Sequence, residues 1–192
     1  MARFSAVLDA CAMVPISQAD TLLRLAESGL YRPIWSSLIL EETRRALERV
    51  HPDMKETGAA RRRVNVMNEV FVDACVRGWE PLVQAIDLPD ENDRHVVAAA
   101  ILGRADIIVT ANVKDFPERE LKRFQLSVQT PDEFLLNQLD LNASLVMDVL
   151  RGQAEDMINP PRTVEDIISS LEKAGAKNFA TYARRQIWRA SP

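Results

Sequence analysis

Only two cysteines, Cys11 and Cys75, occur in the chain, with no CxxC pair and no histidine close to either. That excludes a disulfide framework and argues against a zinc centre, so reduced thiols of a cytoplasmic protein are expected. No apolar run approaches the roughly 20 residues that a membrane-spanning helix requires. The opening MARFSAVLDACAMV is broken by Asp9 too early for a secretory signal and reads instead as a first strand. A phosphate-cradling glycine loop is missing, which leaves nucleotide hydrolysis of the P-loop type without support. Without GxSxG or a suggestively spaced Cys–His pair, acyl chemistry has no support either. Repeats of fixed period and low-complexity tracts are also absent, which removes solenoids and disordered linkers from consideration.

What is present suits a globular domain with an appendage. The 192 residues are 47% hydrophobic, enough to bury a core without metals or disulfides to hold it. A net charge of −4 counts, at face value, against a nucleic-acid partner. The basic residues are clustered, however, as RRALER (44–49), RRR (61–63), KDFPERELKR (114–123) and ARRQIWR (183–189). Carboxylates that hold divalent cations drop out of the field a phosphate feels. The overall sign therefore decides nothing.

Along the chain, FSAVLDA (4–10) reads as a buried strand ending in an aspartate. A short helix is expected over 17–28 with Leu22, Leu25 and Ala26 inward, closed by Gly29. RPIWS (32–36) is a brief strand, and Ser36 or Ser37 can cap the helix that follows to about Val50. HPDMKETG reads as a loop. A long helix over about 58–76 carries Val64, Met67, Phe71 and Ala74 as an apolar stripe. PLVQAIDL (81–88) is an expected strand and PDEND a turn. A helix over 93–103, a strand over 106–110 and a short strand at LSVQ follow. TPDE (130–133) is a capping box with proline at the first helical position, and further helices are expected near 142–157, 164–174 and 176–189. Alternating strands and helices, then helices alone, predict a parallel α/β sheet over 1–130 and a helical extension over 131–192.

Ligands of a parallel sheet bind beyond the carboxyl ends of its strands. Asp9 ends the first strand on that edge, and DIIVT leads out to Asn112 and Asp115 beside it. The helix opening at Asp93 runs antiparallel to the following strand, which brings its N-terminus to the same edge. Glu42, about one turn into its helix, leans back toward it. Four acids remote in sequence are thus expected to converge on one cleft. Their mutual repulsion calls for a cation, and an all-oxygen set selects Mg²⁺ or Mn²⁺. A pair of such ions about 3.5–4 Å apart activates a water and stabilises the leaving oxygen of a phosphodiester. The helix N-terminus at Asp93 is expected to favour its ionised form.

Each acid also has a simpler explanation. Asp93 can be an ordinary N-cap, Asp115 a turn residue before Phe116-Pro117, and Glu42 a partner for Arg45, with Glu41 pairing Arg44 or Arg45 on a solvated face. Asp9 is hardest to explain that way, because a charge closing an apolar strand does little for solubility. Those explanations are independent, whereas one cleft accounts for all four. His95, two residues beyond Asp93, points to another face of the helix, which favours a packing or surface role over a general base. Trp35 fits strand packing better than base stacking, and Trp188 is a candidate to dock the tail or a partner.

The motifs VLDA (7–10), IWSSLILEETRRAL (34–47) and LPDENDRHVVAAAILGRADIIVTANVKDF (88–116) resemble those of PIN-domain nucleases, the fold of the VapC-type toxins of prokaryotic toxin–antitoxin pairs. The likeness covers about residues 3–130, and the tail is similar to the helical extension of longer members. The resemblance implies catalytic and metal-binding roles for Asp9, Glu42, Asp93 and Asp115, with Glu42 favoured over Glu41. It makes Asn112 a secondary or water-mediated ligand, standing where relatives often have an acid, and Thr110 an orienting residue. Asn92 stands where near relatives often carry a second aspartate, while Asp90 reads as a turn residue. The implied activity is Mg²⁺- or Mn²⁺-dependent endoribonuclease cleavage of RNA, tRNA in many of the toxins, by in-line attack of an activated water that releases a 3′-hydroxyl. Arg45, Arg94 and Lys114 are candidates for phosphate contacts. A cognate antitoxin is implied as partner, with the groove between helices 38–50 and 58–76 as its seat. The tail fits a dimer surface, a specificity element or a lid.

Three other functions compete. One is an RNA-processing PIN nuclease without an antitoxin, distinguished by the absence of a small neighbouring gene for a DNA-binding partner. Another is a PIN-like module that binds RNA or protein without cutting, against which the intact quartet speaks. The third, a phosphorylatable signalling receiver, needs adjacent acids after the first strand and an aspartate after a middle one. VLDAC has one acid, and Lys114 alone matches only partly.

Overall fold

In the computed structural model, which describes residues 4–190, the chain forms two compact units. The first comprises residues up to Val14 and Tyr31–Gln129. Its strands are β1 (Ser5–Leu8), β2 (Arg32–Ser36), β3 (Cys75–Val76), β4 (Ile107–Val109) and β5 (Ser127–Gln129). They form one five-stranded sheet in the order β3-β2-β1-β4-β5, parallel at every pairing. With helices on its flanks it is the parallel α/β sheet that the alternation of apolar runs implies. The helices are α1 (Ala10–Met13), then, past α2 (Ile16–Glu27) of the other unit, α3 (Ser37–Val50), α4 (Pro52–Glu56), α5 (Ala59–Val70), α6 (Arg94–Gly103) and α7 (Glu118–Lys122).

The central strands are apolar because both of their faces are covered. Ala6, Val7, Leu8, Ile34, Trp35, Ile108 and Val109 are all inaccessible to solvent. Trp35 is a core residue, edge-on to Phe71 with ring centroids 5.7 Å apart. Helix α6 is apolar on most of its circumference, and residues 95–100 are buried on it. It lies so close to the sheet that a Cβ on Gly103 would come within 2.9 Å of side-chain carbons of Ile34 and Val76. Glycine at that point sets how near the helix can approach. Arg104, which follows at positive φ, ends the helix in a left-handed turn.

Three local expectations are corrected. PLVQAIDL is no strand: Glu80–Ala85 is a 3₁₀ turn, with Pro81 at its start and Leu82 donating back to Trp79. HPDMKETG contains the short helix α4, opened by Pro52, whose missing N–H costs nothing at that position. The helix expected to reach 76 ends at Val70, because Phe71 leaves helical geometry to meet Trp35 and the chain then pairs Cys75 with Trp35 as β3.

The second unit comprises Pro15–Leu30 and the residues from Thr130 onward, and it is helical: α2, α8 (Pro131–Leu141), α9 (Ala143–Glu155), α10 (Val164–Lys173) and α11 (Lys177–Ala190). Helix α2, early in sequence, joins it through polar and charged contacts with the α9 region. Thr21 donates to Gln153 Oε1 at 2.7 Å, and Arg24 pairs with Asp156 at 2.8 Å. Both capping boxes, Thr130 with Glu133 and Thr163 with Asp166, form as reciprocal pairs. The side chain of Trp188 lies outside the described residues. No helix among the described residues is long and apolar enough to cross a membrane.

Candidate active site

The parallel register decides which side chains reach the carboxyl-terminal edge of the sheet. Leu8 pairs with Val109, so the next residues of both strands, Asp9 and Thr110, emerge together. Asp9 is nearly buried and its carboxylate is held from three sides. Oδ1 accepts from the backbone N–H of Ala10 at 2.7 Å, and Oδ2 accepts from the Thr110 hydroxyl at 2.7 Å. The Cys11 thiol donates to the same Oδ2 at 2.9 Å. Thr110 is itself fixed, its oxygen accepting from the N–H of Asn112 at 3.1 Å. The sulfur of Cys11 accepts from the N–H of Ala111, also at 3.1 Å. Burial, and then the charge of Asp9, push the Cys11 thiol up to about 12, so it is a proton-bearing donor here. Cys11 has a place in this network that composition did not reveal. The available signal was its position two residues past Asp9, in the turn that carries the acid.

Asp93 stands at the N-cap of α6, but its side chain makes no capping hydrogen bond. Capping is therefore not what it does. The local cap is Asp90, which accepts from the N–H of Asn92 at 2.9 Å. The expectation that the helix end would favour ionised Asp93 is overturned. Burial, followed by the charges of Asp9, Asp90 and Asp115, raises it from 3.8 to about 6. The charge of His95 pulls the other way, but desolvation and three like charges outweigh it. Asp115 closes a 3₁₀ turn at Val113–Asp115 after β4, with Asn112 exposed in front of it. Asp93 thus lies near enough to both Asp9 and Asp115 to feel their charge.

Glu42 is directed elsewhere than sequence spacing suggested. It does not take Arg45; its Oε1 lies 3.2 Å from Nε2 of the buried His95. Arg45 pairs instead with Glu41 at 2.7 Å, as does Arg44, and hydrogen bonds from these guanidinium groups hold Glu41 at about 2. Glu41 is committed to that cluster, while Glu42 faces α6. Arg94 is half-buried and paired with Glu91 at 3.0 Å, and Lys114 is exposed.

The donor set suits a hard divalent cation. Every side-chain donor of the four acids is a carboxylate oxygen, and no lysine or arginine among the described residues forms an ion pair with Asp9, Asp93 or Asp115. Clustered carboxylates without a lysine or arginine partner are what a cation relieves. The side chains are not drawn into a closed ligand set: among the described residues, no three His, Cys, Asp or Glu side chains gather tightly enough to hold an ion as they stand.

Comparison with known proteins agrees with this architecture. Residues 5–114 match the PIN domain family, and residues 131–185 match the VapC50 C-terminal domain. The chain belongs to the PIN-domain family, in a VapC-like form with a C-terminal helical extension. A relative is the protein named "Putative ribonuclease VapC50" of Mycobacterium tuberculosis (strain ATCC 25618 / H37Rv). The two are 39% identical over 115 residues, which cover 60% of this chain and 67% of the relative. No solved structure matches the chain.

Proposed function

We propose that the chain is a divalent-cation-dependent endoribonuclease of the VapC type. The observation that carries this reading is the approach of Asp9 and Asp115 to Asp93 at the carboxyl-terminal edge of the sheet, where burial and their charges raise Asp93 and no lysine or arginine among the described residues pairs with any of the three. The ribonuclease name of the similar mycobacterial protein supports it. Asp9 and Asp93 would hold Mg²⁺ or Mn²⁺, with Glu42 and Asp115 completing the site and Asn112 reaching it through water. When bound, the cation supplies Lewis-acid polarisation of a phosphate and lowers the pKa of a water.

The chain's own residues do the rest. Thr110 and Cys11 keep the Asp9 carboxylate in one orientation, so a ligand is in place before the substrate arrives. Lys114, exposed beside Asp115, is available to a substrate phosphate. Arg45 and Arg94 are already paired with Glu41 and Glu91, so either must exchange a carboxylate for a phosphate to contribute.

In this reading the substrate is RNA, with tRNA the first to test, the location is the cytoplasm, and a cognate antitoxin is the partner. A hollow of about 430 Å³ between α3 and α5, lined by Leu40, Arg44, Arg61 and Val64 among others, supports the last point. Residues 1–130 would be the nuclease domain, with 131–192 an extension that contributes to specificity or to a homodimer.

The test is cleavage of structured RNA by the wild type, Asp9→Asn and Asp93→Asn, each with Mg²⁺ and with a chelator. Cutting should require the cation and disappear in both variants while far-ultraviolet circular dichroism is unchanged. Chelator-resistant cutting, or full activity in both variants, would remove the reading.

A further inference from the structure

The ring of His95 packs on Trp79, with centroids 5.8 Å apart. Packing does not account for its polar atoms. Nε2 lies 3.2 Å from Glu42 Oε1, whereas the buried Nδ1 has no hydrogen-bond partner among the described residues. A hydrogen on Nδ1 would be a buried donor without an acceptor, while Nε2 has a carboxylate oxygen 3.2 Å away. The arrangement selects the Nε2–H tautomer.

Glu42 needs such an anchor. Its side chain is more than one-third exposed on α3, and three rotatable bonds let an exposed glutamate wander through many rotamers. Holding one oxygen against the buried His95 ring of α6, 3.2 Å away, would remove much of that freedom. The anchor also sits two residues from Asp93, so it binds the α3 acid to the element that carries the α6 acid.

We propose that His95 is a positioning residue: its Nε2–H fixes Oε1 of Glu42 and leaves Oε2 as the oxygen available to the acidic edge. This inference rests on the nuclease reading, because the work it assigns to Glu42 is that of completing a cation site. Groups that orient ligands from behind are commonly worth ten- to a hundred-fold in metal affinity or activity.

A double-mutant cycle tests it, read by Mn²⁺ affinity in calorimetric titration and by single-turnover cleavage of RNA. His95→Leu should weaken Mn²⁺ binding and slow cleavage about ten-fold. His95→Gln, whose amide nitrogen can stand near the position of Nε2, should recover most of both. In a Glu42→Gln background, His95→Leu should add nothing further. Equal loss in that background, or a glutamine variant no better than leucine, overturns the proposal.

The nitrogen-15 spectrum of the wild-type imidazole provides a second arm, which stands even if His95→Leu fails to fold. It should report the Nε2–H tautomer, with a signal that moves in Glu42→Gln. An Nδ1–H tautomer, or a signal indifferent to Glu42, would contradict it. RNA cutting that persists without any divalent cation would sink the nuclease reading alone, since the spectrum would still decide whether His95 anchors Glu42.

Discussion

Replacing Asp93 with asparagine should make the cation-free protein more stable, not less. The carboxyl titrates at about 6 in the fold against an ordinary 3.8, so the folded state holds a proton more tightly than the unfolded chain does. Stability then falls as pH rises from about 4 through about 6, and the whole penalty is present at neutral pH. At about 1.4 kcal/mol per pH unit the penalty has a ceiling of roughly 3 kcal/mol. Asp93 is only partly buried and its neighbours are screened by water, which brings the figure to about 1 kcal/mol. Asparagine keeps the shape, and Asp93 makes no capping hydrogen bond to lose, so the substitution isolates the charge. In chelator at pH 7.5, Asp93→Asn should melt about 2–4 °C above wild type, and the difference should vanish below about pH 4. Added Mg²⁺ should reverse the order. A cation at ten times its dissociation constant stabilises the wild type by about 1.4 kcal/mol and should leave the variant nearly unmoved. Differential scanning calorimetry in the two buffers reads both effects. A variant less stable than wild type in chelator, or one stabilised equally by Mg²⁺, would refute the reasoning.

Other outcomes follow from the same geometry. Thr110→Val removes the hydroxyl that donates to Asp9 Oδ2 and should lower Mn²⁺ affinity about ten-fold, measured by titration. Glu42→Gln should slow RNA cleavage, whereas Glu41→Gln should leave its rate unchanged, because Glu41 is engaged with Arg44 and Arg45. Gly103→Ala forces a methyl to within 2.9 Å of Ile34 and Val76, and urea denaturation should register a loss of about 1–3 kcal/mol.

The sheet and its polarity were legible because FSAVL, RPIWS and DIIVT are short apolar runs separated by helical periodicity. The long helix starts were legible because their chemistry is local: Ser36 caps α3, and Thr130 with Glu133 closes on itself. The misread pieces depend on distant residues. Nothing in PLVQAIDL tells that it winds into a 3₁₀ turn, and the end of α5 is set by Trp35, far back in the chain. The attachment of α2 to α9 rests on a contact between Thr21 and Gln153, 132 residues apart.

At the site, topology alone brought Asp9, Asp93 and Asp115 to one edge. The raised pKa of Asp93 was hidden, because desolvation depends on the atoms packed around it. So was the partner of Glu42. Helical spacing offered Arg45 one turn away, and the fold supplied His95 from another helix instead.

Anomalous scattering from crystals equilibrated with Mn²⁺ tests the acidic edge most directly. A manganese peak between the carboxylates of Asp9 and Asp93, with Asp115 reached directly or through one water, is the predicted result. No peak at saturating Mn²⁺, or one bound away from Asp9 and Asp93, would contradict the account.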